Sequence, residues 1–321
     1  MQKNFLNIKF LPFKPLLLPR ILKNYFNILL RRKPVLRVVT LALDYACQFS
    51  CDYCYVKSLE AEESKAMTLS ISDYERIIRQ SQECGALNFH FTGGDPLIFK
   101  DLYKISALVD KKRNILSLVT NGLRLEEEAL KLKKNGFDLV IVSIDSPKAE
   151  IHDSLRNFPG AWEKAFSGIN AALSQKLKVM IAMVVTNENL NDGQVDELIK
   201  ICRSKGIDLQ LLPIRPQRPE DHEALLDVEG RRRFYEYVSE KDVRWDGQSS
   251  YLSARCLAAR ERLYITPKGE VFSCDFIQDS FGNAREEAIF DIWQRMLNTE
   301  PYNKVNYHCL SSFCREFIKT P

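Results

Sequence analysis

Short apolar runs alternate with amphipathic segments from about residue 35 to about residue 213 of this chain. The apolar runs are rich in Val, Ile and Leu on both faces, as buried parallel strands are. They predict six strands, at residues 36–43, 88–92, 115–120, 139–144, 179–185 and 209–212. The amphipathic segments predict helices near residues 70–84, 101–112, 125–135, 161–175 and 191–205. This βα repeat places the chain in the α/β class.

Start and stop signals support the predicted helices. Ser70 and Asn191 can cap helix N-termini, and Gly136 and Gly206 follow the expected helix ends. Six such units can close into a partial (β/α)6 barrel resembling part of a TIM barrel, or form an open doubly wound sheet. Both arrangements bind ligands at the carboxyl ends of their strands, so polar residues at those ends are candidates for a site.

The alternation of predicted strands and helices ends at about residue 246. Residues 264–266 and 270–272 flank a Pro-Lys-Gly turn and predict a β-hairpin. A predicted helix at 286–298 and an irregular tail with two cysteines follow. We therefore divide the chain into an N-terminal extension (1–34), a barrel domain (35–245) and a small C-terminal domain (246–321).

The N-terminal extension is basic. The whole chain carries a net charge of +4, yet residues 1–34 hold eight Lys or Arg and no acidic residue, so the remainder is mildly acidic. That balance gives no reason to expect nucleic-acid binding. From Pro19 to Arg32 the apolar and polar residues would fall on opposite faces of a helix, and the polar face is cationic. Such a helix can lie in a membrane interface, or pack on the open end of the barrel or on a partner protein.

Nine cysteines occur in 321 residues, while prolines and a lysine interrupt the N-terminal apolar run and argue against a secretory signal. No run of 18 uncharged apolar residues predicts a membrane span. We therefore expect a cytoplasmic protein, with peripheral contact at the inner face of the membrane if the N-terminal helix binds lipid. In that compartment clustered cysteines bind metal or do redox work more often than they form disulfides.

Three of the cysteines share one loop after the first predicted strand. Cys47, Cys51 and Cys54 fall within eight residues and can converge on one metal centre. A zinc loop or reactive thiols are the alternatives, but structural zinc usually takes four ligands. A four-iron (4Fe-4S) cluster held by three thiolates would keep one iron open.

This CxxxCxxC spacing, with an aromatic residue before the last cysteine, resembles the signature of the radical S-adenosylmethionine (SAM) superfamily. The segment Gly93-Gly94-Asp95-Pro96 ends the second strand and is similar to the GGEP-type motif of that family, with Asp in place of the commoner Glu. The resemblance implies a 4Fe-4S cluster on the three cysteines and SAM bound at its open iron, with this segment holding the amino group of SAM. The two glycines would let the backbone approach the ligand closely.

Further cofactor contacts are implied by the same resemblance. Tyr53 is the aromatic residue of the loop. Asn121, Ser143, Asp145 and Arg156 fall where the family contacts SAM, and Arg156 would suit the methionine carboxylate. These residues lie at or just beyond the carboxyl ends of predicted strands, where ligands bind in both of the possible folds.

The C-terminal region holds four more cysteines, Cys256, Cys274, Cys309 and Cys314. Four sulfurs could close a structural zinc site. The spacing C-x12-G-x4-C resembles the SPASM extension of radical SAM enzymes, or its shorter Twitch form, and implies a second 4Fe-4S cluster. A full SPASM domain has seven cysteines, and the gap between Cys309 and Cys314 departs from the closer pairs of that family.

The resemblance implies an enzyme that cleaves SAM reductively to a 5′-deoxyadenosyl radical and abstracts hydrogen from a peptide, lipid-linked or small-molecule substrate. An electron donor such as flavodoxin or ferredoxin would be its partner. The alternatives are a non-catalytic iron–sulfur electron-transfer or scaffold protein, or a zinc-binding α/β protein docked at a membrane. The sequence identifies no substrate acid or base, and Asp95, Asp145, Asp275 and the four histidines are as compatible with structural roles.

Overall fold

The computed structural model describes residues 14–56, 67–214, 225–245 and 256–304. Its strands form one ten-stranded sheet in the order β10-β9-β8-β1-β2-β3-β4-β5-β6-β7. The strands are β1 (Val38–Ala42), β2 (Asn88–Thr92), β3 (Ile115–Thr120), β4 (Leu139–Ser143), β5 (Lys178–Val185), β6 (Asp208–Pro213), β7 (Val243–Trp245), β8 (Arg262–Ile265), β9 (Glu270–Cys274) and β10 (Ile277–Asn283). From β8 through β1 to β7 all neighbours are parallel, which is the partial barrel the sequence predicts.

Nine α-helices lie in the described residues. They are α1 (Leu18–Leu29), α2 (Ile71–Glu83), α3 (Leu102–Leu108), α4 (Leu125–Lys134), α5 (Ala149–Arg156), α6 (Ala161–Ser174), α7 (Gln194–Lys205), α8 (Val228–Val238) and α9 (Ile289–Asn298). The six predicted strands and five predicted barrel helices are all present. Helices α5 and α8 and strand β7 were not predicted, because each is short and its apolar positions are few.

The barrel strands present different residues to their two faces. Phe89 and Phe91 of β2 are buried in the main core beneath the helices, whereas Asn88, His90 and Thr92 line the interior of the barrel. The prediction of strands apolar on both faces is therefore wrong for β2. The outer positions build the core, and the inner positions are free to be polar because they border a cavity.

Most predicted helix signals are confirmed. The Ser70 side chain accepts from Asp73 N at 3.2 Å and forms a capping box at the start of α2. Gly206 caps α7 with left-handed backbone angles, and Gly136 follows the end of α4 with φ of 77°. Asn191 is not a cap, because α7 begins at Gln194 after Gly193.

The C-terminal section continues the barrel sheet. Strand β8 pairs with β1 in parallel, and β8 and β9 form the predicted hairpin. Strand β10, which was not predicted, adds an antiparallel edge. The indole Nε1 of Trp293 on α9 donates to Ala259 O at 2.6 Å and fixes the segment that carries Cys256. Cys309 and Cys314 lie outside the described residues.

Helix α1 packs at the amino-terminal ends of β2 and β3. Leu17 and Ile21 form a small buried cluster with Leu87. The described residues contain no helix with the length and apolar character needed to cross a bilayer.

Candidate functional site

The cysteine loop follows β1 and is held against the end of β2 by main-chain hydrogen bonds. Gly94 N donates to Asp44 O at 2.8 Å, and Asp95 N donates to Ala46 O at 2.9 Å. A Cβ atom on Gly94 would lie 2.1 Å from Ala46 O, and one on Gly93 would lie 2.0 Å from Asp44 O. The two glycines thus permit the close approach of two backbone segments, which is a different requirement from the ligand approach expected from the sequence.

Helix α5 and its C-terminal cap hold the other side of the loop. The Asn157 side chain, at a left-handed residue, donates to Ser50 O at 3.1 Å and to Asp52 Oδ1 at 2.8 Å. The ring of Phe49 lies 4.6 Å from that of Phe158. The loop is therefore clamped from both sides, which fixes its three thiols in place.

Cys47, Cys51 and Cys54 all line one end of a cavity of about 550 Å³. Burial raises the pKa of the Cys47 and Cys51 thiols, and Cys54 raises both further. No three His, Cys, Asp or Glu side chains in the described ranges stand close enough to hold a single metal ion. The three sulfurs instead open onto the shared cavity.

Polar groups surround the sulfurs. Phe49 N lies 3.5 Å from the Cys47 sulfur, and Asn121 Nδ2 lies 3.7 Å from it. Arg156 Nη1 lies 3.9 Å from the Cys51 sulfur. Asn121 Nδ2 also donates to Gln48 Oε1 at 3.0 Å, a contact that was not predicted. N–H groups directed at sulfur stabilise thiolate charge.

Asp145 is the centre of a buried network behind the loop. Its Oδ2 accepts from Arg156 Nε at 2.6 Å and from the Tyr53 hydroxyl, and its Oδ1 accepts from Val184 N at 3.0 Å. Burial and Asp145 both raise the pKa of Tyr53. Burial works to lower the pKa of Arg156, but Asp145, Tyr53 and Cys51 together raise it above its ordinary value. Both side chains are therefore held in their protonated forms.

His152 was missed by the sequence analysis. Its Nδ1 accepts from Asp145 N at 3.2 Å, and burial lowers its pKa to about 4, so it is neutral. His152 and Arg156 lie four residues apart on α5 and share one face of the helix. That spacing is the signal that could have found it, had the short helix been predicted.

The predicted cofactor contacts fall into two groups. Side chains or backbone of six residues line the cavity beside the sulfurs: Tyr53, Gly93, Gly94, Asn121, Ser143 and Arg156. Asp95, Pro96 and Asp145 do not line it. Asp95 is buried, and its Oδ1 accepts from Leu97 N at 3.0 Å and from Thr120 Oγ1 at 2.9 Å. Asp95 thus caps the short 3-10 helix Pro96–Ile98, and burial raises its pKa to about 6.

The cavity continues from the cysteine loop through the barrel to the opposite end. One wall is polar, where the Ser117 hydroxyl lies 2.9 Å from His90 Nδ1 and 3.1 Å from Asn88 Oδ1. The other wall is apolar and includes Ile141 and Met180. At the amino-terminal end of the strands, side chains of α1 and of the C-terminal section complete the lining: Ile21, Tyr25, Arg262, Asp275 and Phe276.

Cys256 and Cys274 both lie towards that opposite end. Both lie close enough to Tyr302 to contribute, after burial, to raising its pKa to about 12. Cys274 Sγ lies 3.2 Å from Asp275 Oδ1, which also accepts from Arg262 Nη1 at 3.1 Å. Burial raises the pKa of Cys274 well above its ordinary value. Two of the four predicted C-terminal ligands thus lie at this end of the barrel.

The residues present fit an iron–sulfur cluster at the first site. Three sulfur donors on one loop, with N–H groups directed at two of them, suit iron–sulfur ligation, and the adjoining cavity leaves space for a ligand. The fold and this site define a partial α/β barrel that carries a cluster-binding cysteine loop at the carboxyl ends of its strands.

The chain belongs to the radical SAM superfamily, whose family model matches residues 44–202. A second model, described as an iron–sulfur cluster-binding domain and called SPASM, matches residues 256–316. These domains imply a 4Fe-4S cluster and SAM as cofactors and support an additional cluster. The predicted family, fold and cofactors are thereby confirmed.

Among curated relatives, the GTP 3′,8-cyclase of Staphylococcus carnosus is 31% identical over 183 residues, which are 55% of this chain and 54% of the relative. The PqqA peptide cyclase of Rhizobium meliloti is 23% identical over 275 residues, or 78% of this chain and 72% of that protein. The chain spans little more than half the length of the curated relatives it matches first, 54%, 52% and 58%.

A solved structure of similar fold is Streptococcus suis SuiB bound to the precursor peptide SuiA. It superposes with a TM-score of 0.64 over 91% of this chain and 72% of SuiB, at 16% sequence identity. This likeness concerns the fold.

Proposed function

We propose that this chain is a radical SAM enzyme that holds its catalytic cluster on Cys47, Cys51 and Cys54 and takes its substrate into the barrel cavity. With cluster and SAM bound, the chemistry supplied is reductive cleavage of SAM to a 5′-deoxyadenosyl radical, which abstracts hydrogen from the substrate. One observation carries the proposal. The three thiols line the end of a cavity of about 550 Å³ that continues through the barrel.

The protein's own residues would bind SAM, position the groups that contact it and limit the access of water. We propose that Tyr53, Gly93, Gly94, Asn121, Ser143 and Arg156 contact SAM, because they line the cavity beside the sulfurs. Asp145 would act through its neighbours, since its two oxygens are occupied by Arg156, Tyr53 and Val184. Asp95 and Pro96 would position the Gly-Gly segment through the cap of the 3-10 helix. Enclosure in the barrel limits the access of water to a reactive species.

We propose a substrate with both polar and apolar parts, because one cavity wall carries Asn88, His90 and Ser117 and the other carries Ile141 and Met180. A peptide has that character, and the names of the Rhizobium relative and of the SuiB complex refer to peptides. A lipid-linked molecule or a small molecule such as a nucleotide would also present both parts.

We further propose that Cys256 and Cys274, together with Cys309 and Cys314, hold a second 4Fe-4S cluster. The match of the SPASM model to residues 256–316, which contain all four cysteines, supports it. A flavodoxin or ferredoxin would supply the electron. The protein would work in the cytoplasm, at the inner face of the membrane.

The test is SAM cleavage by anaerobically reconstituted protein after reduction. We expect 5′-deoxyadenosine from the wild type and none from Cys47→Ala/Cys51→Ala/Cys54→Ala. The control is Cys84→Ala, which removes a thiol at the end of α2 and should retain the reaction. A brown protein that releases no 5′-deoxyadenosine would be an electron carrier, and a colourless, iron-free one a zinc protein. Either outcome would refute the proposal.

A further inference from the structure

Helix α1 is fixed to the barrel by one face only. Arg20 Nη1 donates to Asn114 Oδ1 at 2.8 Å, and Arg20 Nη2 donates to Ala86 O at 2.9 Å. Asn24, which is buried, donates to Gly85 O at 3.2 Å. Two polar residues of α1 therefore anchor the helix to the protein.

The opposite face of α1 is apolar and exposed. Leu18, Leu22, Phe26 and Leu29 recur at helical spacing and are 57%, 60%, 46% and 48% exposed. Leu16 and Leu30 extend this stripe at its two ends. Together they are six of the twelve large hydrophobic side chains that are exposed in the described residues. An apolar surface concentrated in this way marks an interaction site more often than scattered exposed residues do.

The charged residues along α1 and directly after it are all basic. Lys23, Arg31, Arg32 and Lys33 are exposed, and the Arg31 guanidinium lies 4.9 Å from the centre of the Phe26 ring. The first acidic residue of the chain is Asp44. The face thus combines long apolar side chains with a cationic border.

We propose that this face of α1 docks the protein on an anionic lipid bilayer, with the helix lying in the plane of the interface. Leu and Phe side chains can insert to the depth of the headgroup and acyl boundary. The border cations complement phosphate headgroups. Ile21 and Tyr25 on the inner face of α1 line the far end of the cavity, so docking brings that end close to the lipid. This inference is independent of the SAM chemistry.

The test is co-sedimentation of the full chain with vesicles of phosphatidylcholine alone or mixed with phosphatidylglycerol. We expect binding to the anionic vesicles that weakens as salt is raised. Leu22→Ser/Phe26→Ser should reduce the partition coefficient by about tenfold or more. The matched control is Leu130→Ser/Phe290→Ser, which removes a leucine and a phenylalanine of similar exposure, 49% and 55%, on other helices.

Charge reversal separates the electrostatic contribution to vesicle binding from the contribution of the apolar side chains. Lys23→Glu/Arg32→Glu should remove the preference for anionic vesicles while circular dichroism shows an unchanged fold. Equal binding by the wild type and Leu22→Ser/Phe26→Ser, or equal binding to both kinds of vesicle, would overturn the proposal. So would a dimer in light scattering that dissociates in the Leu22→Ser/Phe26→Ser variant without any vesicle binding, because the occupant would then be a second copy of the chain.

Discussion

Asp145 shows how a single buried carboxylate can organise a site without lining its cavity. It is 2% exposed, yet a guanidinium, a phenol and a backbone N–H all donate to it. Such compensation is what makes a buried charge tolerable. Arg156, held in this way, also reaches the sulfur of Cys51. The position of the guanidinium beside the cysteine loop therefore depends on a residue one layer behind it.

Asp95 gives a pH-dependent prediction. Burial raises its pKa from 3.8 to about 6, so the folded protein holds this proton more tightly than the unfolded chain does. The contribution of Asp95 to folding stability is therefore lost as pH rises from about 4 through about 6. Asp95→Asn keeps an oxygen acceptor for Leu97 and Thr120 but does not titrate. Above about pH 6 it should be more stable than the wild type by up to about 3 kcal/mol.

Urea unfolding of both proteins across this pH range would measure the difference. The advantage of Asp95→Asn should shrink as pH falls and disappear below about pH 4, where the wild-type carboxyl is protonated in both states. A stability difference that does not vary with pH would show that the Asp95 carboxyl is not perturbed in this way.

At the scale of elements, the end of β2 and the loop after β1 form one unit. Their backbones approach so closely that neither Gly93 nor Gly94 has space for a side chain. The helical segment 149–156 and its cap close the loop from the other side. The three cysteines are therefore positioned by contacts from two elements that are distant in sequence.

Gly94→Ala tests this unit. The added Cβ would meet Ala46 O and Tyr45 O at 2.1 and 2.4 Å, so the cysteine loop must move. We expect a loss of about 1–3 kcal/mol of stability together with a lower iron content after reconstitution. Gly193→Ala is the control, because its Cβ meets nothing within 4 Å and only its φ of +84° is strained. If both variants incorporated iron equally, the glycine contact would have no part in shaping the loop.

At the scale of the whole molecule, the cavity extends from the cysteine loop towards the proposed second site near Cys274, at the opposite end of the barrel. Strand β8 pairs with β1 in parallel, so Arg262 lies beside Val38 at the amino-terminal end of the strands. Asp275 lines the cavity there, next to Cys274. A substrate in the barrel would thus lie between the catalytic loop and the second site.

Iron analysis tests the second site. Two four-iron clusters require about eight irons per chain, and Cys256→Ala/Cys274→Ala should reduce this to about four. The Cys84→Ala variant should keep about eight. If the wild-type protein held only about four irons and also contained zinc, this result would contradict a second cluster and support the structural zinc alternative.

The sequence alone determined the elements whose information is local. Short apolar runs predicted β1 to β6, Ser70 marked the start of α2, and the spacing of Cys47, Cys51 and Cys54 indicated a shared metal centre. Backbone periodicity, capping and ligand spacing act within a few residues, so they can be read along the chain.

Only the tertiary structure decided which partner each of these groups meets. Periodicity showed that α1 has two faces, but not that Arg20 and Asn24 would face the protein and leave Leu22 and Phe26 exposed. Residue type placed Asp145 near the site, but its partners come from α5 and β5. Such contacts join residues far apart in sequence, and the free energy that selects them comes from packing the complete sheet.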